Sequence, residues 1–468
     1  MNSNDMTRRR FIGQSACAGV GLTGLLTTLG TLRLFNATLS AQTVPDNDYR
    51  ALVCLFLYGG NDGNNMIIPR DTTGYNAYAA SRGVISLPRA GLLPITLPAG
   101  DGRDFGFHPG MGSLQGVFNS GKMAVLANVG TLVAPITKAE YLSGGAAVPP
   151  YLFSHNDQQA QWQTSVPDSP KKVGWGGRLA DLTNALNTGS QISMNVSLAG
   201  NNFFQVGNDI FQYQMTPSGS VGLHEYQSPW VPRPQQFQGL RDTLGMNYSH
   251  LFESEYARVT ERAIANDNLL KTTLANIPTY ADKFPRAVDA EGNPTSLAGQ
   301  LRMILRMIAA RSSLSMKRQV FFCSLGGFDT HDDMLNDHGV LMKVVSDAVA
   351  DFYQATVDIG VADKTTLFTA SDFNRTYSTN GKGSDHAWGS HQFIVGGAVR
   401  GGNLYGNMPV LQANGPDDTG SRGSWIPTIS VDEYSATLAK WFGVSSTNMP
   451  LVLPNIRRFA RPDLGFMV

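Results

Sequence analysis

Runs of continuous apolar, β-branched or aromatic residues recur along the chain at Ala51–Leu57, Met123–Val129, Ile192–Leu198, Gln319–Leu325, Thr365–Ala370 and Gln392–Gly396. A run that is apolar throughout, rather than alternating with polar residues, suits a strand covered on both faces, as in a parallel sheet. Between these runs, apolar residues return at helical spacing over Met111–Phe118, Gly177–Leu186, Leu297–Ala310 and Leu341–Ile359. The last of these aligns Val344, Val345, Ala348, Val349, Phe352 and Tyr353 on one face. Near the end, Ser430 and Glu433 form a capping-box pattern that opens a helix through Trp441 and Phe442, closed by Gly443. Alternating strands and helices predict a doubly wound α/β fold with a mostly parallel sheet. From Pro234 to about Pro285 the chain is polar, helical and dense in Arg and Glu, with no strand signal. That region reads as a helical insertion or cap over the sheet.

The N-terminus follows a different pattern. Thr7-Arg8-Arg9-Arg10-Phe11-Ile12 resembles the twin-arginine export consensus, and Ile12 to Leu32 is uncharged and rich in Gly, Ala, Leu and Thr. A charged n-region before a mild apolar h-region has the shape of a signal peptide. Small residues around Ala37 to Ala41 offer a cleavage site after Ala41, with Leu39 departing from the small-x-small pattern. The alternative is an uncleaved membrane anchor. Gly and Thr weaken the span, and no second apolar run near twenty residues follows. Residues 1–41 therefore predict handling by the twin-arginine translocase and delivery to the periplasm or beyond, with no stable membrane span after cleavage. Because this route moves folded proteins, it also hints at a cofactor acquired inside.

Cleavage leaves about 427 residues, 42–468, within reach of one large α/β domain with insertions. Lys and Arg number 36 and Asp and Glu number 36, so formal charge is zero. No basic stripe or tail marks a nucleic-acid or anionic-membrane surface. Beyond the leader only Cys54 and Cys323 remain, both in strand-like runs. Buried free thiols are the default, and one disulfide requires that those strands be neighbours.

The chemistry-bearing residues follow the strands. Ala51–Leu57 runs into Tyr58-Gly59-Gly60-Asn61-Asp62-Gly63, and Gln319–Leu325 into Gly326-Gly327-Phe328-Asp329-Thr330-His331. Thr365–Ala370 runs into Ser371-Asp372-Phe373-Asn374-Arg375-Thr376, followed by Asp385-His386 and His391. In open α/β sheets ligands bind beyond the carboxyl ends of the strands, so three strands deliver carboxylates to one edge and two loops add histidines. Carboxylates and neutral imidazoles without thiolates suit zinc, manganese, iron, calcium or magnesium. Crowded carboxylates repel one another unless a cation is present. Histidine is scarce, eight in the chain, yet four fall between residues 331 and 391. Taken singly, each loop is also a common turn or helix cap. His338 and His250 lie on predicted helices as surface or core residues. Ser154, in Tyr151-Leu152-Phe153-Ser154-His155-Asn156-Asp157, is either a metal-activated nucleophile or a helix N-cap. No Gly-x-Ser-x-Gly elbow surrounds Ser154, and no dinucleotide or Walker loop follows the first strand.

These residues, with the leader, Gly396-Gly397, Gly401-Gly402 and the Trp441-Phe442-Gly443 helix end, resemble the bacterial family catalogued as domain of unknown function 1501. That family is grouped with the alkaline phosphatase and sulfatase superfamily. The resemblance implies an alkaline phosphatase-like sheet with a one- or two-cation site, hydrolysing phosphate or sulfate esters. By motif, Asp62 matches the cation ligand after the first strand. Asp329 with His331 and Asp385 with His386 match later ligand pairs, and Ser154 stands where the nucleophile enters. Asp372 and His391 are further candidates for the metal. The superfamily carries Asp-His where this chain has Asp372-Phe373, which implies one cation or different ligands. Arg375 either clamps an anionic ester or is the salt-bridge partner of an acid. The family is frequently encoded beside another exported family, which implies a partner protein. The alternative function is a secreted binding or assembly protein that keeps the fold without catalysis.

Overall fold

The computed structural model describes residues 48–170, 172–222 and 234–468. The leader and its cleavage site lie outside the described residues. Ten strands form the main sheet: β1 (Arg50–Leu57), β2 (Met123–Gly130), β3 (Asn195–Ser197), β4 (Tyr213–Thr216), β5 (Gly219–Ser220), β6 (Arg318–Leu325), β7 (Thr365–Ser371), β8 (Ser390–Gly396), β9 (Asn403–Tyr405) and β10 (Ile429–Ser430). Their order is β9-β2-β8-β7-β1-β6-β3-β4-β5, with β10 also paired to β2. β1 runs parallel to both β6 and β7, while β8 is antiparallel to β7 and β2. Every residue from Ala51 to Leu57 is buried. Since successive side chains point to opposite faces, helices or loops must cover both.

The helices used below are α1 (Thr72–Arg82), α2 (His155–Thr164), α3 (Trp175–Thr183), α4 (Pro234–Leu244), α5 (Leu251–Ala275), α6 (Ser296–Ala309), α7 (Met334–Asp358) and α8 (Val431–Phe442). One sheet face is aromatic. Trp175 of α3 and Tyr434 of α8 sit 5.5 and 5.8 Å from the Phe368 ring on β7. α6 packs on β6 and on α7. The predicted capping box is present at α8. Ser430 Oγ accepts from the Glu433 N–H at 3.0 Å, and the Glu433 carboxylate accepts from the Ser430 N–H at 3.0 Å.

The doubly wound α/β prediction holds, with differences in detail. The Ile192–Leu198 run yields only the three-residue β3, α7 begins at Met334 instead of Leu341, and β8 begins at Ser390. The β4–β5 hairpin and a separate antiparallel sheet of Ile67–Pro69, Leu93–Pro94 and Phe105–Phe107 have no counterpart in the apolar pattern. Cys54 and Cys323 occupy neighbouring strands and both are free and buried. Cys54 pairs with Phe322 and Leu55 with Cys323, so the two thiols stand one residue out of register on opposite faces. Among the described residues no helix is long and apolar enough to cross a membrane.

The register of β1 aligns Leu57 with Leu325 and with Ser371, so three strands end at one level. The loops leaving that edge interlock closely. Gly59 has φ +114°, and a Cβ there would lie 2.4 Å from the Asp329 nitrogen. Only glycine permits both the conformation and the approach. The loop after β1 is thereby pressed against the loop that carries Asp329.

Candidate metal centre

Asp329 leaves β6 through Gly326-Gly327, with Gly327 at φ +102°. Its Oδ1 accepts from Arg375 Nη1 at 2.6 Å. The Arg375 side chain is fully buried, with Nη1 also 3.2 Å from the Gly59 carbonyl and Nη2 on the Ser384 carbonyl. Three histidines surround the same carboxylate. His331 Nε2 is 3.1 Å and His386 Nε2 3.2 Å from Oδ1, and His155 Nε2 is 3.5 Å from Oδ2. The His331 and His386 Nε2 atoms are 3.0 Å apart.

What holds each ring decides what it offers. His386 Nδ1 lies 2.7 Å from the Phe153 carbonyl oxygen, which can only accept, so Nδ1 carries the proton. His155 Nδ1 lies 2.6 Å from the Asp372 carboxylate, and His331 Nδ1 3.2 Å from Asp385. Each ring is thus held from behind at Nδ1, and its Nε2 faces Asp329. The backbone that presents the Phe153 carbonyl and leads into His155 is strained, with Tyr151 at φ 54° and Phe153 at φ 73°.

Electrostatics follow from the same contacts. The hydrogen bond to Asp372 raises the His155 pKa, whereas burial lowers that of His386. Burial pushes the Asp329 carboxyl up, but Arg375, His331 and His155 together bring it below the usual range. Asp385 behaves alike, with burial outweighed by Arg422, Asn380 and His331. His155 Nε2 and Asp372 Oδ1 are buried and make no hydrogen bond. One ligand atom each from His155, Asp329 and His386 falls within 4.8 Å of the others. Two imidazole nitrogens and a carboxylate, one nitrogen orphaned, fit a divalent cation of the zinc, manganese or iron kind.

Of the residues singled out from sequence, Asp329, His331, Asp372, Asp385, His386 and Arg375 are brought together. Asp62 is turned away. It is fully buried, ion-paired with Arg82 of α1, and accepts from the Asn64 N–H at 3.0 Å as the cap of the turn Gly63–Met66. His391 lies inside β8 and accepts from the Asn128 N–H at 3.1 Å. Burial pushes its pKa down to about 4. Ser154 occupies the N-cap position of α2, but its Oγ donates to Asp157 at 2.6 Å instead of capping the helix. Sequence reasoning missed His155. Its signal was its place in a segment already marked as a helix start, in a chain with eight histidines.

The chain belongs to the family described as "Protein of unknown function (DUF1501)", whose model matches residues 49–422. No curated protein matches the sequence. Among solved structures, the lipoteichoic acid synthase LtaP from Listeria monocytogenes is similar at 10% identity, covering 88% of this chain and 77% of that one, with TM-score 0.36. The PsFucS1 sulfatase from Pseudoalteromonas sp. covers 88% and 74% at 10% identity and TM-score 0.34. The phosphonate monoester hydrolase SpPMH from Silicibacter pomeroyi covers 74% and 72% at 9% identity and TM-score 0.30. At such identities and scores none of them bears on the chemistry of this site.

Proposed function

We propose that this family member is an exported, metal-dependent hydrolase of phosphate or sulfate esters that works beyond the inner membrane. One observation carries the proposal. Three histidine Nε2 atoms converge on the Asp329 carboxylate, each ring held from behind at Nδ1. Asp329, His155 and His386 would hold the cation, with His331 beside them. A bound divalent cation supplies Lewis acidity, lowering the pKa of a water or hydroxyl and neutralising charge on the transferred group. Asp372 and Asp385 keep their histidines in the ligating tautomer. Arg375 holds Asp329 in place, with both terminal nitrogens already committed. Arg422, half exposed and paired with Asp385, would meet an anionic ester at the rim. Ser154 would attack the phosphorus or sulfur and pass its proton to Asp157 as the ester's alcohol leaves, and a water would then cleave the seryl ester to release phosphate or sulfate. The twin-arginine pattern of residues 7–12 supports export.

The test is a panel of aryl phosphate and aryl sulfate monoesters offered to the protein after supplementation with zinc or manganese. Turnover is expected with one ester class, reduced by about 100-fold or more in Ser154→Ala and in His155→Ala. An inert parent under every condition refutes hydrolysis. A second reading, the non-catalytic binding or assembly protein with a co-encoded partner, draws on a different feature. Leu251, Phe252 and Tyr256 at the start of α5 are 79%, 78% and 74% exposed, an apolar ridge on a helix surface. An inert parent that binds such a partner through α5 would favour it.

A further inference from the structure

Beside the metal centre lies a cavity of about 300 Å³, at the small end of the range for small-molecule sites. Five amide side chains line it: Gln159, Gln163, Asn201, Asn202 and Gln212. The rings of Tyr58 and Phe203 join them, and among the described residues no charged side chain does. Gln159 connects the two places, because its Nε2 donates to Asp372 at 2.8 Å, and Asp372 holds His155.

The amides are fixed before any ligand arrives. Gln163 Oε1 accepts from the backbone N–H of Phe203 at 2.8 Å and of Phe204 at 3.1 Å. Asn202 accepts from the Gln205 N–H at 2.9 Å and donates to Gln205 Oε1 at 3.1 Å. Gln212 Nε2 donates to Asn201 Oδ1 at 2.8 Å. A carboxamide offers donors and an acceptor in one plane, which matches the hydroxyls of a polyol, each both donor and acceptor. An ionised ligand would meet no charged side chain in the lining, where Lys172 reaches only the Phe203 ring, at 4.5 Å. Aromatic rings add flat apolar surface for the C–H faces of a ring-shaped ligand.

We infer that the cavity is a subsite for a neutral sugar, the alcohol part of the ester cleaved at the metal centre. The link to an ester rests on the hydrolase function proposed above. Saturation-transfer NMR on the mature protein with D-glucose, D-galactose and N-acetyl-D-glucosamine reads the cavity without turnover. At least one sugar should bind saturably near about 1 mM, and Gln212→Leu or Asn201→Ala should weaken it about tenfold. Thermal unfolding of each variant checks that it is folded. Saturation by none of the three sugars overturns the inference, as does undiminished binding in both variants. Saturation by glycylglycine in place of the sugars overturns it too. Sugar binding by a hydrolytically inert protein leaves the subsite standing and removes only the hydrolase. An active hydrolase that ignores all three sugars removes only the subsite.

Discussion

A histidine whose Nδ1–H is committed to a carboxylate can offer only its Nε2 lone pair, and that constraint sets the chemistry of this site. His155 is the clearest case, fixed by Asp372 at 2.6 Å and left without a hydrogen bond at Nε2. Asp372→Asn keeps an acceptor for the ring and removes the negative charge behind it. Affinity for zinc, read by competition with a chromophoric chelator, should fall about 10- to 100-fold while the protein stays folded. Unchanged affinity would mean that His155 holds no metal. The Asp329, His331, Asp385 and His386 group was legible because its members sit in two short motifs at strand ends. His155 was not, because the carboxylate that gives it meaning lies 217 residues away. Asp62 was legible only as an acid after a strand. The same Gly-Gly-Asn-Asp-Gly turn serves a ligand or a buried ion pair, and Arg82 decides between them.

At the level of elements, the Asp62–Arg82 pair ties α1 to the loop after β1 and, through Arg82, to the loop after β7. Arg82 Nη1 donates to the Thr376 carbonyl at 2.9 Å and to that of Tyr377 at 3.3 Å, and its Nε to Asn65 at 3.2 Å. Both charged side chains are fully buried, so removing one charge strands the other. Asp62→Asn should cost on the order of 3 kcal/mol in urea unfolding and leave zinc affinity of the folded protein unchanged. Lost zinc binding at full stability would make Asp62 a ligand after all. The strands that matter most, β1, β6 and β7, were legible because a strand covered on both faces is a run of mostly apolar, β-branched or aromatic residues without regular polar alternation. The β4–β5 hairpin was not, since its residues other than the buried Met215 are partly or fully exposed and mostly polar. His391 was placed in a loop because the apolar run begins at Gln392, whereas pairing of β8 with β2 begins at Ser390.

Across the whole molecule, one sheet edge gathers what the sequence scatters. Loops after β1, β6 and β7, the segment before β8 and the N-terminus of α2 meet around Asp329, although they span residues 58 to 389. Parallel strands ending in register, with antiparallel β8 starting at the same edge, bring these distant segments to one place. Whether this convergence holds a cation decides the chemistry of the molecule. The most direct measurement is elemental analysis of the mature protein beside His155→Ala, Asp329→Ala and Asp62→Asn, each after growth with zinc and manganese. The prediction is about one divalent ion per chain in the parent and in Asp62→Asn, and none in His155→Ala or Asp329→Ala. A parent that stays metal-free after supplementation, or variants that keep the ion, would contradict it.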